Sequence, residues 1–85
     1  MISFALRGRV ADLDETTADE PWHPAVVLLL EVDDEFCRVI VPSSVLNGRR
    51  ERLCAGRPVA VFGELHESPR GLSHVAREVR LGGGH

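Results

Sequence analysis

Phe36-Cys37-Arg38-Val39-Ile40-Val41, followed by Pro42-Ser43-Ser44, is the stretch that decides the reading of this chain. Successive side chains of a strand point to opposite faces. Cys37, Val39 and Val41 therefore share one face and Phe36, Arg38 and Ile40 the other. The first set suits a core, whereas a ring and a guanidinium two residues apart suit contact with a partner. Pro42 removes a ladder donor, and the two serines are helix-cap residues, so the strand is predicted to end here. A short helix is expected over residues 45–53, weakened by Gly48 and ended by Gly56.

Working outward, residues 26–32 are apolar at nearly every position and lie between Pro24 and the acids Asp33-Asp34-Glu35. That pattern predicts a strand with both faces covered, and the acids turn the chain so that residues 36–41 become its neighbour. Further back, Phe4-Ala5-Leu6-Arg7-Gly8-Arg9-Val10-Ala11 alternates around Gly8, which places Arg7 and Arg9 opposite Leu6 and Val10 on a first strand. Residues 12–24 have no apolar period, two prolines and a lone Trp22, and read as a long loop. Beyond the helix, residues 59–65 form a fourth strand in which Gly63 predicts a bulge or barrel corner. A turn at Ser68-Pro69-Arg70-Gly71 leads to a fifth strand over residues 72–81, with Leu72, His74 and Ala76 facing opposite to Ser73, Val75 and Arg77. Residues 1–81 are thus expected to form one domain, and residues 82–85, Gly-Gly-Gly-His, a flexible tail. The order β-β-β-α-β-β predicts an all-β protein, a five-stranded Greek-key barrel of the OB-fold type with a short helix between strands three and four. The ligand face of such a barrel is built on strands two and three and on the loops after strands one and four.

Composition bounds the rest. With 44% hydrophobic and 27% charged residues in 85, the chain has the balance of a folded domain and not that of a disordered one. The longest apolar run, residues 25–30, is far shorter than the roughly 20 residues of a membrane helix, and no signal segment opens the chain. Cys37 and Cys54 lack the spacing of a zinc or redox pair and read as reduced thiols of a cytoplasmic protein. The formal charge of −3 is unevenly spread: residues 1–35 hold nine acids and two arginines, whereas residues 36–85 hold eight arginines and four acids. One basic surface on an acidic protein is the expected result.

Glu35-Phe-Cys-Arg-Val-Ile-Val-Pro42 and Leu53-Cys-Ala-Gly-Arg-Pro-Val-Ala-Val-Phe-Gly-Glu-Leu65 together carry a family resemblance. Both segments resemble the bacterial single-stranded DNA-binding protein (SSB) family, in which an aromatic, a variable residue, an arginine and an apolar run make strand three and Leu-x-x-Gly-x-x-Val-x-Val-x-Gly-x-Leu leads through strand four. Arg70-Gly-Leu-Ser-His-Val-Ala76 is similar to the last strand of primosomal replication protein N, a relative acting in replication restart. The likeness covers about 30 residues. The family's long basic hairpin between strands two and three is reduced here to Asp33-Asp34-Glu35, and Pro42 stands where many relatives have an aromatic. The resemblance implies an OB barrel that binds single-stranded DNA or RNA, without an enzyme activity or a cofactor, beside replication or repair proteins. It also implies Phe36 as the stacking ring and Arg38 as a backbone contact.

The remaining candidates come from position. Trp22, in the loop after strand one, is placed to close over a base, or to plug the loop between Pro21 and Pro24. Arg70 and His74 would extend the groove, and Arg7 and Arg9 would add phosphate contacts, although isolated arginines more often face water. Arg49, Arg50, Arg52 and Arg57 cluster on and after the helix, away from the groove. His23, His66, His74 and His85 have no ligand spacing, so no metal and no catalytic set is assigned. The alternative to nucleic-acid binding is a protein-interaction module, favoured by the acidic first half. Finally, a barrel has one inside, so either Val27 and Leu29 or Val26, Leu28 and Leu30 must point out. With Ile40 or Phe36 they would leave on the order of several hundred Å² of apolar surface bare. A homodimer or larger homo-oligomer is expected to cover it, through strands two and three or the edge of strand one.

Overall fold

The computed structural model describes residues 2–14, 24–46, 52–69 and 71–82. They form β1 (Ile2–Asp14), β2 (Ala25–Val32), β3 (Glu35–Pro42), α1 (Ser43–Leu46), β4 (Pro58–Ser68) and β5 (Gly71–Leu81). The strands close into a barrel in the order β1-β2-β3-β5-β4, antiparallel throughout except where β3 meets β5 in parallel at Val39↔His74 and Ile40↔Val75. This is the OB-fold that the element order predicts.

Closure depends on β1, which has two partners. Residues 2–9 pair with β4 and residues 9–14 with β2. Gly8 stands at the handover: a Cβ there would lie 2.2 Å from the carbonyl oxygen of Glu31. Gly63, on the neighbouring β4, is a second point of close approach, where a Cβ would fall 2.0 Å from the carbonyl oxygen of Val75. Beside it the register shifts, with Phe62 opposite Glu78 and Gly63 opposite Ala76, so that Arg77 is the extra residue of a bulge.

β1 is longer than the sequence suggests. Residues 12–14, expected in the loop, continue the strand because a register shift between Val10 and Asp12 resets its phase. Leu13 then packs against the core, and Asp12 and Asp14 face outward opposite Leu29 and Val27. β4 likewise runs on to Ser68, and the Ser68↔Gly71 pair closes the expected turn. The helix begins at Ser43, two residues earlier than expected, and its predicted continuation over residues 47–51 lies outside the described residues.

The core is aliphatic. Leu28, Leu30, Val39, Val41 and Val61 are fully buried, joined by Val10, Val26, Val59, Ala76 and Val79 from the strands. Leu46 of α1 and Leu53 meet Val79 and Leu81 and plug one end of the barrel. The inward set on β2 is thus Val26, Leu28 and Leu30. The outward Val27 and Leu29 do not form the bare stripe expected of them: Val27 is 5% exposed, and Leu29 and Ile40 are half-buried. Exposed large apolar side chains sit instead at Ile2, Phe36 and Leu72.

The β2–β3 hairpin turns on two residues, Asp33 and Asp34, both with positive φ (50° and 68°). A two-residue loop of this kind favours Asn-Gly, because a side chain in the left-handed region costs on the order of 1–2 kcal/mol and only Asn, Asp and Gly tolerate it. The pair also sits between Glu31 and Glu35, four carboxylates in five residues. Replacing Asp33→Asn and Asp34→Gly together is expected to stabilise the fold by about 0.5–1 kcal/mol, a rise of about 4 °C in the thermal midpoint. An unchanged or lowered midpoint would show that the turn is not strained.

Candidate nucleic-acid interface

The outer face of β1, β2 and β3 is organised in rows by the strand register. Phe36 lies beside Glu31, which lies beside Arg9. Arg38 follows beside Leu29 and Asp12, then Ile40 beside Val27 and Asp14. Phe36 is 63% exposed and Arg38 is exposed, two residues apart on one strand face. A ring and a guanidinium held this way can stack a base and hold the adjoining phosphate. Next to them Asp12, Asp14, Val27, Leu29 and Arg38 line an open hollow of about 240 Å³.

Charge on this face is mixed. Arg9 and Arg38 share it with Asp12, Asp14 and Glu31, so its attraction for a polyanion comes from two local arginines and not from a general positive field. Arg9 is held in place by a hydrogen bond from its Nη1 to the carbonyl oxygen of Gly56, at 3.5 Å. That carbonyl belongs to the turn preceding β4, where Gly56 N donates to Val10 O and Val10 N donates to Arg57 O.

The structure therefore places Phe36 and Arg38 side by side on β3, with Arg9 on the same outer face two strands away. Arg7 is exposed on the same strand as Arg9 but faces Ala60 of β4, around the barrel from Phe36. His74 points the other way. Paired with Val39 and Leu65, it is half-buried at the barrel end away from α1, with its ring edge-on to Phe4 at 4.9 Å. Its Nδ1 lies 3.9 Å from the sulfur of Cys37. His74 thus sits on the inward side of its strand, not on the face that carries Arg38. Trp22 and Arg70 lie outside the described residues.

Positional reasoning passed over Phe62 and Arg80. The guanidinium carbon of Arg80 sits 5.3 Å from the centre of the Phe62 ring, on the outer face of β4 and β5. Both had a signal in the sequence, since Phe62 alternates with Val61 and Gly63, and Arg80 with Val79 and Leu81. Among the described residues no group of three or more His, Cys, Asp or Glu side chains is placed to hold a metal ion, and no described helix is long and apolar enough to cross a membrane.

The geometry defines a closed OB barrel with a ring and an arginine on the outer face of β3. Solved structures share that fold. The N-terminal domain of PriB protein from Thermoanaerobacter tencongensis, described as a dimeric structure, is similar at a TM-score of 0.73, with 19% identity over 94% of each chain. A chain of the S. pombe Stn1-ten1 complex is similar at a TM-score of 0.70 and 19% identity; the match covers 95% of this chain and 58% of that one. At such identity the likeness is one of fold. No protein-family model and no curated protein sequence matches the chain.

The two thiols differ in setting. Burial pushes the Cys37 thiol up from its ordinary range, whereas Cys54 is exposed. A raised pKa leaves less thiolate, and thiolate is the reacting form. At pH 8 iodoacetamide is expected to modify Cys54 about tenfold faster than Cys37 or more, with Cys37 continuing to gain rate as pH rises further. Peptide mass spectrometry over time reads both rates, and equal rates would contradict the placement of Cys37.

Proposed function

We propose that this chain is a non-enzymatic, cytoplasmic OB-fold protein that binds single-stranded nucleic acid, DNA foremost, as an accessory to replication or repair. The observation that carries the reading is Phe36, 63% exposed on the outer face of β3 with Arg38 beside it. An aromatic of that exposure has no packing role in the single chain, and its neighbour supplies the charge that a phosphate needs. The resemblance of residues 35–42 and 53–65 to the SSB family, and the fold shared with the PriB domain, support the same reading. Binding is expected to be modest, because few aromatics are available for stacking and three carboxylates stand on the same face.

The assembly that fits is a homodimer. Ile2, Phe36 and Leu72 are each more than 60% exposed. Phe36 near the start of β3 and Leu72 near the start of β5 lie on strands that pair in parallel through Val39↔His74. The dimeric PriB domain structure lends this state support. Light scattering at micromolar concentration is expected to return about twice the 9.3 kDa of one chain, and a monomer mass would refute the dimer. Those same exposed side chains, with the carboxylates around Phe36, favour a second reading, a docking module for another protein.

Polarisation titration with oligothymidine in low salt separates the two. Binding that weakens as salt is added, and a loss of most of it in Phe36→Ala/Arg38→Ala, is expected. Undiminished affinity in the double variant would remove these residues from the site. Absence of binding to strands of about 10–30 nucleotides, several OB-fold sites long, would leave the docking module.

A further inference from the structure

The outer face of β1, β4 and β5 carries a second set of rows. Arg7 lies beside Ala60 and Ala60 beside Arg80; in the next row Ala5 lies beside Phe62 and Phe62 beside Glu78. Between Arg7 and Arg80 the floor is Ala60 together with Gly8 and Gly82, whose lack of bulk leaves an open hollow of about 260 Å³. On the other side of Phe62 a larger hollow of about 670 Å³ opens between Ser3 and Ala5 on β1 and Arg77 and Glu78 on β5. Gly63, beside the bulge, is part of its lining.

The charges on this face come from Arg7, Arg77, Arg80, Glu64 and Glu78. Its two carboxylates each have a partner: Glu64 accepts from Arg77 Nη1 at 3.4 Å, and Glu78 accepts from Nε of Arg80. The second pair offsets part of the Arg80 charge but does not use all its donors. A guanidinium has five donors, and a carboxylate on Nε leaves the outer Nη edge of Arg80 open. Arg7 and Arg9 have no carboxylate within ion-pair distance among the described residues. The result is two guanidiniums across a small-residue floor, with Arg9 at the border and an aromatic ring one row below.

We propose that this face is a second nucleotide lane, resting on the nucleic-acid reading above: a phosphate sits between Arg7 and Arg80, and a base occupies the larger hollow against Phe62. The ligand is the sugar-phosphate backbone of the same single strand that crosses Phe36 and Arg38. Arg9 links the two lanes, because its row runs to Phe36 through Glu31 on one side and to Pro58 of β4 on the other. With strands about 4.8 Å apart, the path from Phe36 over β2, β1 and β4 to Arg80 on β5 is about 20 Å along the surface. A strand of about 16 nucleotides, the upper end of an OB-fold site, has ample length to follow it.

The test is a low-salt and salt-series titration of a 16-nucleotide oligothymidine, about one long site, against wild type, Arg7→Ala/Arg80→Ala, Phe62→Leu and Phe36→Ala/Arg38→Ala, with thermal melts to show that each is folded. Arg7→Ala/Arg80→Ala is expected to bind about tenfold more weakly, with a salt slope shallower by about 0.7, the loss of the one phosphate the two arginines share. Phe62→Leu keeps the apolar bulk but not the ring, and is expected to weaken binding with the slope unchanged, as an uncharged stacking contact should. Wild-type affinity and slope in Arg7→Ala/Arg80→Ala, with binding still lost in Phe36→Ala/Arg38→Ala, overturns the lane and leaves the β2–β3 site standing. Loss only in the Arg7, Arg80 and Phe62 variants upholds the lane and removes Phe36 and Arg38 from the site. If the wild type binds no strand at all, both readings fall.

Discussion

Everything in this barrel follows from the divided pairing of β1. One strand must leave β4 and join β2 within a few residues, and the backbone can make that change only where another chain segment may come closer than a side chain allows. Gly8, under the carbonyl of Glu31, is that place, and Gly63 on the adjacent β4, under the carbonyl of Val75, is a second close approach of backbone to backbone. Any larger residue at either position must push backbone against backbone, which is stiff, and not merely turn a neighbouring side chain aside. Closure then leaves few free edges, and it fixes which side chains face out, since a slip of one residue would exchange the faces of a whole strand.

The consequence is visible in the charge. The first half of the sequence is acidic and the second basic, and the closed barrel turns that linear asymmetry into two unlike surfaces. Asp12, Asp14 and Glu31 from the first half collect on the outer side of β1 and β2. Arg77 and Arg80 from the second half lie on β5, and Arg7, on the part of β1 that pairs with β4, is turned toward them. A net charge of −3 therefore says little about affinity for a polyanion. On the β4–β5 side Glu64 and Glu78 are paired with Arg77 and Arg80.

Much of the fold was legible in the sequence, because it rests on a period of two. The alternation in residues 36–41 separated Cys37, Val39 and Val41 from Phe36, Arg38 and Ile40 as the structure does, and Gly63 marked its bulge. Legibility failed where the period broke. The shift at residue 11 hid Leu13 among acids, so that the end of β1 read as loop. On β2 an unbroken apolar run has no phase at all, which is why the inward set could not be chosen from the sequence and the shielding of Val27 was not foreseen. For the site, Phe36 and Arg38 were readable, whereas His74 was weighed by its chemistry instead of its phase. It alternates with Ala76, and that parity already placed it inside, against Phe4 and Cys37.

The contrast between His74 and Arg80 makes a wider point about small barrels. Each strand has one inward and one outward set, and a polar residue on the inward set near an open end is held by packing, as the edge-on contact of His74 with Phe4 shows. An arginine on the outward set keeps its charge in water and can bring its guanidinium over a ring, as Arg80 does with Phe62. Residue type suggests that both could bind a nucleotide, and only the phase of the strand separates them. Among the described residues Phe36 is the one strongly exposed aromatic, and Phe62, on the outward set of β4 with Arg80 at one side of its ring, is the other ring that the phase of the strands turns away from the core.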